Sequence, residues 1–260
     1  MYRYKTDLNL DLTLSSGQCF RWKKINGSWH GVVRGFEEFV YREGKYLVFE
    51  NSDEVIFNNI FYEYFDFSTD YGKILKTLSN DENVQNYVEK NGKLAILRQE
   101  SFETLISFII SACNNIPRIM KIIDNLCKNF GENNAFPSPE KLASLTVEDL
   151  SVIRAGFRAD YIINAAKAVA SKEIDLEYLE KCDTETVRKE LMKLKGVGRK
   201  VADCTLLYGF HRLEVAPVDR HINRIFERLY PNGLPECFEE YAGVAQQYLF
   251  VEESGVWTAS

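Results

Sequence analysis

The hydrophobic period changes once along this chain, near Val55, and that change limits the fold more than any other feature. Before it, four short segments rich in aromatic and β-branched residues follow one another, at 19–22, 28–33, 38–41 and 46–49. Asn26-Gly27 and Glu43-Gly44-Lys45 separate them as turns, so the pattern predicts an antiparallel meander. After it, apolar residues recur at helical spacing. Phe102, Leu105, Ile106, Ile109 and Cys113 fall on one face, as do Ile119, Ile122, Ile123 and Leu126. Pro117 suits the opening turn of that second helix. Further helices are predicted over 147–153, 160–170, 184–194, 199–210, 219–229 and 236–250. No internal repeat or low-complexity linker interrupts them. The chain is therefore expected to be an α+β protein. A small N-terminal antiparallel β domain, about 1–80, would cover a mainly helical body, 81–260.

Composition narrows the class. The 260 residues are 45% apolar and 27% charged, enough to bury a core without disulfides or metals. Apolar runs such as Tyr46-Leu47-Val48-Phe49 fall far short of the ~20 residues of a membrane span. The start, Met1-Tyr2-Arg3-Tyr4-Lys5-Thr6-Asp7, lacks the apolar core of a secretion signal. Secreted, membrane, collagenous and disordered classes are excluded, and a prokaryotic cytoplasmic setting is expected. The six cysteines form no CxxC pair, so neither zinc nor an iron–sulfur cluster is signalled, and reduced thiols are expected.

The net charge of −6 argues mildly against a polyanionic partner. That average conceals a polarity. Residues 187–230 hold ten Lys/Arg against five Asp/Glu, which leaves this stretch at +5 and the remainder at −11. A basic face on an acidic body is compatible with local binding of nucleic acid.

Within the basic stretch, Leu194-Lys195-Gly196-Val197-Gly198-Arg199-Lys200-Val201-Ala202-Asp203-Cys204 carries the most chemistry. One helix runs into Gly-Val-Gly and another leaves at once. Glycines allow successive N–H groups to point outward as an anion nest, and the following helix end adds positive potential suited to phosphate. A plain tight turn explains Gly-x-Gly equally well, but Lys195, Arg199 and Lys200 flank it. Lys200 sits in the first helical turn, where the helix dipole disfavours a cation and so favours the neutral, nucleophilic amine. Nineteen positions on, Pro217-Val218-Asp219 opens a further helix, with Asp219 placed as an N-cap. Local pattern does not choose between a surface lysine and a nucleophile, or between a cap and a catalytic carboxylate.

Leu194-x-Gly196-Val197-Gly198-x-Lys200-Val201-Ala202-Asp203-Cys204, followed by Val215-Ala216-Pro217-Val218-Asp219-x-His221, resembles the helix-hairpin-helix and Gly-Pro-Asp motif of DNA glycosylases. The hairpin would lie at about 184–210. Within that superfamily the chain most resembles the 8-oxoguanine DNA glycosylase family. Ser16-Gly17-Gln18-Cys19-Phe20-Arg21-Trp22, Asn114-Asn115-Ile116-Pro117-Arg118-Ile119, Gly156-Phe157-Arg158 and Ala242-Gly243-x-Ala245-Gln246-x-x-Leu249-Phe250 agree with it in order. The absence of a four-cysteine motif separates the chain from the iron–sulfur branch.

The resemblance implies a monomeric base-excision enzyme without cofactor or metal, acting on double-stranded DNA that contains oxidised guanine. Lys200 would attack the sugar C1′ of a flipped nucleotide and form a Schiff base. Asp219 would stabilise the positive charge that develops on the sugar. Gly17 matches the glycine whose carbonyl accepts the N7–H found only on the oxidised base. Gln246 matches the residue at the Watson–Crick edge, and Phe250 and Cys204 match those that sandwich the ring. Phe157 stands for the wedge, usually tyrosine, that enters the base stack. Arg118 and Arg158 match readers of the orphaned cytosine, with Asn114 and Asn115 beside them. Gly196, Val197, Gly198, Arg199 and His221 would contact the backbone. One departure concerns the opposite base: Cys113 stands where the family has the first of three asparagines.

Two other functions fit parts of the pattern. A glycosylase for alkylated bases would not need Lys200. A non-catalytic helix-hairpin-helix module would leave Asp219, Gly17 and Gln246 without a role.

Overall fold

The computed structural model describes residues 1–254. Five strands, β1 (Tyr2–Lys5), β2 (Lys23–Ile25), β3 (Ser28–Val33), β4 (Phe36–Glu43) and β5 (Tyr46–Phe49), form one antiparallel sheet in the order β1-β5-β4-β3-β2. Strands β3 to β5 match three of the four predicted segments, with Trp29 opposite Val40 and Val40 opposite Phe49, and β2 follows the remaining segment, 19–22, instead of coinciding with it. Strand β1 was not predicted. It pairs with β5, and its two tyrosines pack on Phe57 at ring distances of 4.4 and 5.1 Å. Four residues of alternation are too few to stand out in sequence.

The segment 19–22 is not a strand, contrary to the sequence reading. Cys19, Phe20 and Trp22 are all buried, which a half-solvated strand does not allow. Trp22 instead lies flat on Gly31 of β3, where a Cβ would come within 2.4 Å of the indole, and its Nε1 donates to Tyr64 Oη at 2.9 Å. The short helix α1 (Leu10–Ser15), capped by Asn9, precedes this segment and was likewise missed.

Helical structure starts at α2 (Glu54–Ile56), passes through a π-helical turn at Phe57–Phe61 and continues as α3 (Tyr62–Tyr64), α4 (Tyr71–Leu78) and α5 (Glu82–Asn91). Phe49 meets Phe57, Phe61 and Phe65 at 5.0–5.7 Å, which seals the sheet onto these helices. The body then comprises α6 (Ser101–Ser111), α7 (Ile116–Phe130), α8 (Pro139–Ala143), α9 (Arg158–Ala170), α10 (Leu176–Leu179), α11 (Thr184–Leu191), α12 (Arg199–Gly209), α13 (Arg220–Leu229) and α14 (Ala242–Ser254). Helix α6 is its axis: Leu105, Ile106, Ile109 and Ile110 are fully buried, and α7, α9 and α12 pack around it. No helix among the described residues is long and apolar enough to cross a membrane.

Four predicted helices differ in extent. Residues 147–153 form only a 3-10 turn at Asp149–Ile153, which Arg154 closes in the left-handed region at φ +58°. Helix α11 stops at Leu191, and tighter turns carry the chain to Gly196. The stretch 236–250 breaks after a 3-10 turn at Glu236–Phe238, and α14 begins at Ala242, where Gly243 N donates to Leu213 O at 2.9 Å. Cys113 leaves the apolar face assigned to it. Helix α6 ends at Ser111, and Cys113 adopts φ +51° in an exposed turn.

Candidate active site

The turn between α11 and α12 is built around two glycines with different duties. Gly196 has φ +85°, and a Cβ on it would lie 2.3 Å from the Tyr161 ring. Val197 is buried as the anchor of the turn. Gly198 sits at the N-cap of α12 with open space around it and no side-chain cap, so the first amides of α12 are available to a ligand. Arg199 projects outward, whereas Lys195 is held by Asp160 at 2.8 Å and lies over Tyr161.

Lys200 turns the other way. Its Nζ is half-buried, 4.9 Å above the Phe108 ring and 3.5 Å from Ser111 Oγ. Cys204 lies one turn further along the same face of α12 and is buried. Burial pushes its thiol up to about 11, with the Lys200 charge acting in the opposite direction. Asp219 caps α13 as its position suggested: Oδ1 accepts from the N–H groups of His221 and Ile222, both at 2.9 Å. Two amides on one oxygen fix the carboxylate at the cleft.

Gly17, Lys200, Cys204, Asp219, Gln246 and Phe250 line one cleft. These are all six residues assigned to catalysis and the base pocket. Gly17 has φ +77°, and Phe250 rests on it: a Cβ there would be 3.4 Å from the phenyl ring. The cavity is about 70 Å³, less than the roughly 150 Å³ that accepts a benzene. Gln246 is 4% exposed, and its Oε1 has no hydrogen-bond partner. A buried acceptor left open is unfavourable by about 1–3 kcal/mol, and the residue that carries it lines the cleft.

The other residues assigned to DNA contact lie on the turn after α6 and the first turn of α7, at the start of α9 and, for His221, on α13. Asn115 caps α7 by accepting the Arg118 N–H at 3.0 Å, and Asn114 Nδ2 donates to Ile110 O at 3.1 Å. Arg118 is exposed. Arg158 is 3% exposed, and its guanidinium donates to the carbonyls of Ala112, Cys113 and Ala155. Burial, and then the nearby Arg118 charge, lower its pKa. Phe157 is 60% exposed, backed by the Tyr161 ring at 5.8 Å and the Arg158 guanidinium at 4.4 Å. A rigidly backed, solvated phenyl ring has the form of a wedge and not of a core aromatic. His221 is exposed and meets Phe250 edge-on at 6.0 Å.

Sequence reasoning missed Phe108, which lines the cleft beneath Lys200, and Ser111, whose Oγ lies 3.5 Å from the Lys200 Nζ. Phe108 lies on the buried side of α6, so helical periodicity classes it as core. Nothing local distinguishes it from Leu105 or Ile109.

Two family models divide the chain: the N-terminal domain of 8-oxoguanine DNA glycosylase matches residues 2–105, and the HhH-GPD superfamily of base excision DNA repair proteins matches residues 106–236. The solved structure of MBOgg1 with a low-affinity DNA ligand superposes with a TM-score of 0.92 at 40% identity, covering 97% of this chain and 94% of that one. The chain belongs to the 8-oxoguanine DNA glycosylase family. The Clostridium acetobutylicum 8-oxoguanine glycosylase/lyase, solved with duplex DNA containing cytosine opposite 8-oxoguanine, matches at 34% identity with a TM-score of 0.88, over 96% of this chain and 93% of that one. The Saccharomyces cerevisiae N-glycosylase/DNA lyase is 42% identical over 157 residues, 53% of this chain and 42% of its own length. The family assignment also accounts for the architecture, an antiparallel sheet followed by a helical body with a hairpin.

Proposed function

We propose that this protein excises 8-oxoguanine from duplex DNA and then cleaves the strand, as a bifunctional N-glycosylase and AP lyase. The observation that carries this is the orphaned Oε1 of Gln246, buried in the cleft that also holds Lys200 and Asp219. The amide meets the Watson–Crick edge of a flipped purine, Cys204 and Phe250 take its faces, and the Gly17 carbonyl accepts N7–H. Guanine offers a lone pair at N7 instead, so two acceptors would face each other. An exposed Phe157 fills the gap left in the stack. Arg118 and Arg158 supply donors to the orphaned cytosine, with Asn114 and Asn115 alongside. The amides of Gly196, Val197 and Gly198, with Arg199 and His221, take the backbone phosphates.

As the C1′–N9 bond breaks, positive charge spreads over C1′ and the ring oxygen, and the Asp219 carboxylate stabilises it. The base departs with the bonding electron pair and is protonated. The Lys200 amine forms the new bond to C1′, one of its protons passes to the departing base and the other to the ring oxygen as the sugar opens, and the imine that is left takes up a proton from water. That imine makes the C2′ proton acidic, and its removal expels the 3′ phosphate. The pocket around Lys200 is apolar on the Phe108 side, which limits water at the reacting carbon. Six free thiols suit a reducing compartment, which supports placing the enzyme in a prokaryotic cytoplasm.

Borohydride treatment with an 8-oxoguanine duplex tests the assignment. A covalent adduct is expected with wild type and none with Lys200→Gln, which should still bind the damaged duplex. Excision without an adduct would instead indicate a monofunctional glycosylase, and retention alone a binding module. Strand cleavage by Lys200→Gln would remove the lysine from the mechanism.

A further inference from the structure

Gly17 carries the one carbonyl that distinguishes oxidised from ordinary guanine in the reading above, so whatever fixes its direction fixes selectivity. Its own φ of +77° is a glycine-only torsion and holds nothing in place by itself. The peptides on either side are clamped. On one side, Ser16 O accepts from Gln247 Nε2 at 2.7 Å. On the other, Gln18 O accepts from Gln99 Nε2 at 2.7 Å, and the Gln18 side chain donates to Ala95 O at 2.9 Å and accepts from Leu97 N at 2.8 Å. Ser16, Gln18 and Gln247 are all buried.

Both clamps lead back to Tyr208. Its hydroxyl donates to Gln247 Oε1 at 2.5 Å, and its carbonyl accepts from Gln99 N at 3.0 Å. An amide can flip, and only its nitrogen can donate to Ser16 O. The Ser16 carbonyl, which can only accept, selects the orientation with Nε2 turned toward it, and the Tyr208 hydroxyl holds that orientation by giving its proton to Oε1. Burial raises the Tyr208 pKa well above its ordinary value, so the hydroxyl keeps that proton. Tyr208 lies eight residues after Lys200, on the same face of α12, and stacks on Phe108 at 5.4 Å beneath the lysine. Helix α14 presents Gln246 to the cleft and Gln247 to the loop behind it. The nucleophile and the selective carbonyl are thus held by one framework.

We propose that Gln247, held in orientation by Tyr208, is a positioning residue that aims the Gly17 carbonyl and thereby sets the discrimination for N7–H. This rests on reading Gly17 as the acceptor of that proton. The test pairs two variants with two bases. The bases are 8-oxoguanine and 8-oxo-7-deazaguanine, which has C–H in place of N7–H. Single-turnover excision opposite cytosine is compared with cleavage of a preformed abasic site, which needs no base contact. Wild type should favour 8-oxoguanine by about tenfold or more. In Gln247→Met, 8-oxoguanine excision should fall about tenfold, the preference should shrink below about threefold, and abasic-site cleavage should stay within about twofold. Tyr208→Phe, which removes one oxygen and keeps the stack, should shrink the preference in the same direction and serves if Gln247→Met does not fold. A preference that survives in the folded variants overturns the proposal. So does a parallel loss of excision and abasic cleavage, the mark of a merely structural residue. Wild type that fails to excise 8-oxoguanine overturns the underlying function instead, and the wild-type arm alone reveals it.

Discussion

Replacing Gln246 by leucine should make the free protein more stable and the enzyme worse. The side chain is 4% exposed and its Oε1 has no partner, so the folded state carries an uncompensated desolvation of about 1–3 kcal/mol. Leucine has similar volume and no polar atom. Its neighbours Cys204 and Phe250 are apolar and can pack against it. Allowing for imperfect packing, a gain of about 1–2 kcal/mol is expected, which at about 2–4 °C per kcal/mol for a chain of this size raises Tm by about 2–8 °C. The same change removes the contact proposed for the Watson–Crick edge. A site built to hydrogen-bond its ligand loses at least the net value of that bond, about 1–2 kcal/mol, and so about 5- to 30-fold in excision rate. Thermal unfolding of the free protein and single-turnover excision on one 8-oxoguanine duplex measure the two effects. Opposite signs are required. A lower Tm with unchanged excision would mean that the amide is satisfied within the free protein and does not wait for a base.

Three further outcomes follow from the same geometry. Removing the outward Arg199 side chain should weaken DNA binding and reduce the slope of log K against log salt by about 1, without changing which base is chosen; altered lesion preference at constant slope would refute a phosphate role. Asp66, whose carboxylate is 0% exposed, accepts from Arg98, Tyr71 and Thr69 and lies 3.0 Å from His211. Burial alone would raise its pKa, but the His211 and Arg98 contacts outweigh it and hold it below the usual 3.8. A carboxylate depressed on folding contributes stability above the unfolded value and loses it as pH falls through the folded one. Asp66→Asn should therefore cost about 3–5 kcal/mol at pH 7 and flatten the acid limb of stability below about pH 4, measured by denaturant unfolding across pH; an unchanged limb would refute the pairing. Cys113 stands exposed at φ +51°, a torsion asparagine tolerates better, and a thiol is a poor hydrogen-bonding plug. Wild type should prefer cytosine opposite the lesion by only about tenfold, and Cys113→Asn should sharpen this by about tenfold, within the ~1–3 kcal/mol of one well-formed base discrimination. Strict cytosine specificity in wild type would end that line of reasoning.

Much of this protein was readable from its residues. Periodicity separates sheet from helices because amphipathic strands and helices repeat their apolar positions every two and every 3.6 residues, whatever surrounds them. Asp219 as a cap and the Gly196–Gly198 turn are local matters, set by one side-chain oxygen and one positive torsion. Lys200 could be placed at a helix start but not given a task, since a lysine there is equally compatible with solvent. What the sequence withheld depends on neighbours distant along the chain. The segment 19–22 looks like a strand until Trp22 is seen to need Gly31 and Tyr64, and Cys113 looks like core until Arg158 grips its carbonyl. Phe108 reads as core and is also the floor of the cleft. Gln247 is one more polar residue in a helix until its amide is found between Tyr208 and Ser16, 39 and 231 positions away. Propensity acts over a few residues and is legible in the chain. The direction of a carbonyl and the isolation of a buried amide are set by contacts that exist only once the chain has closed on itself.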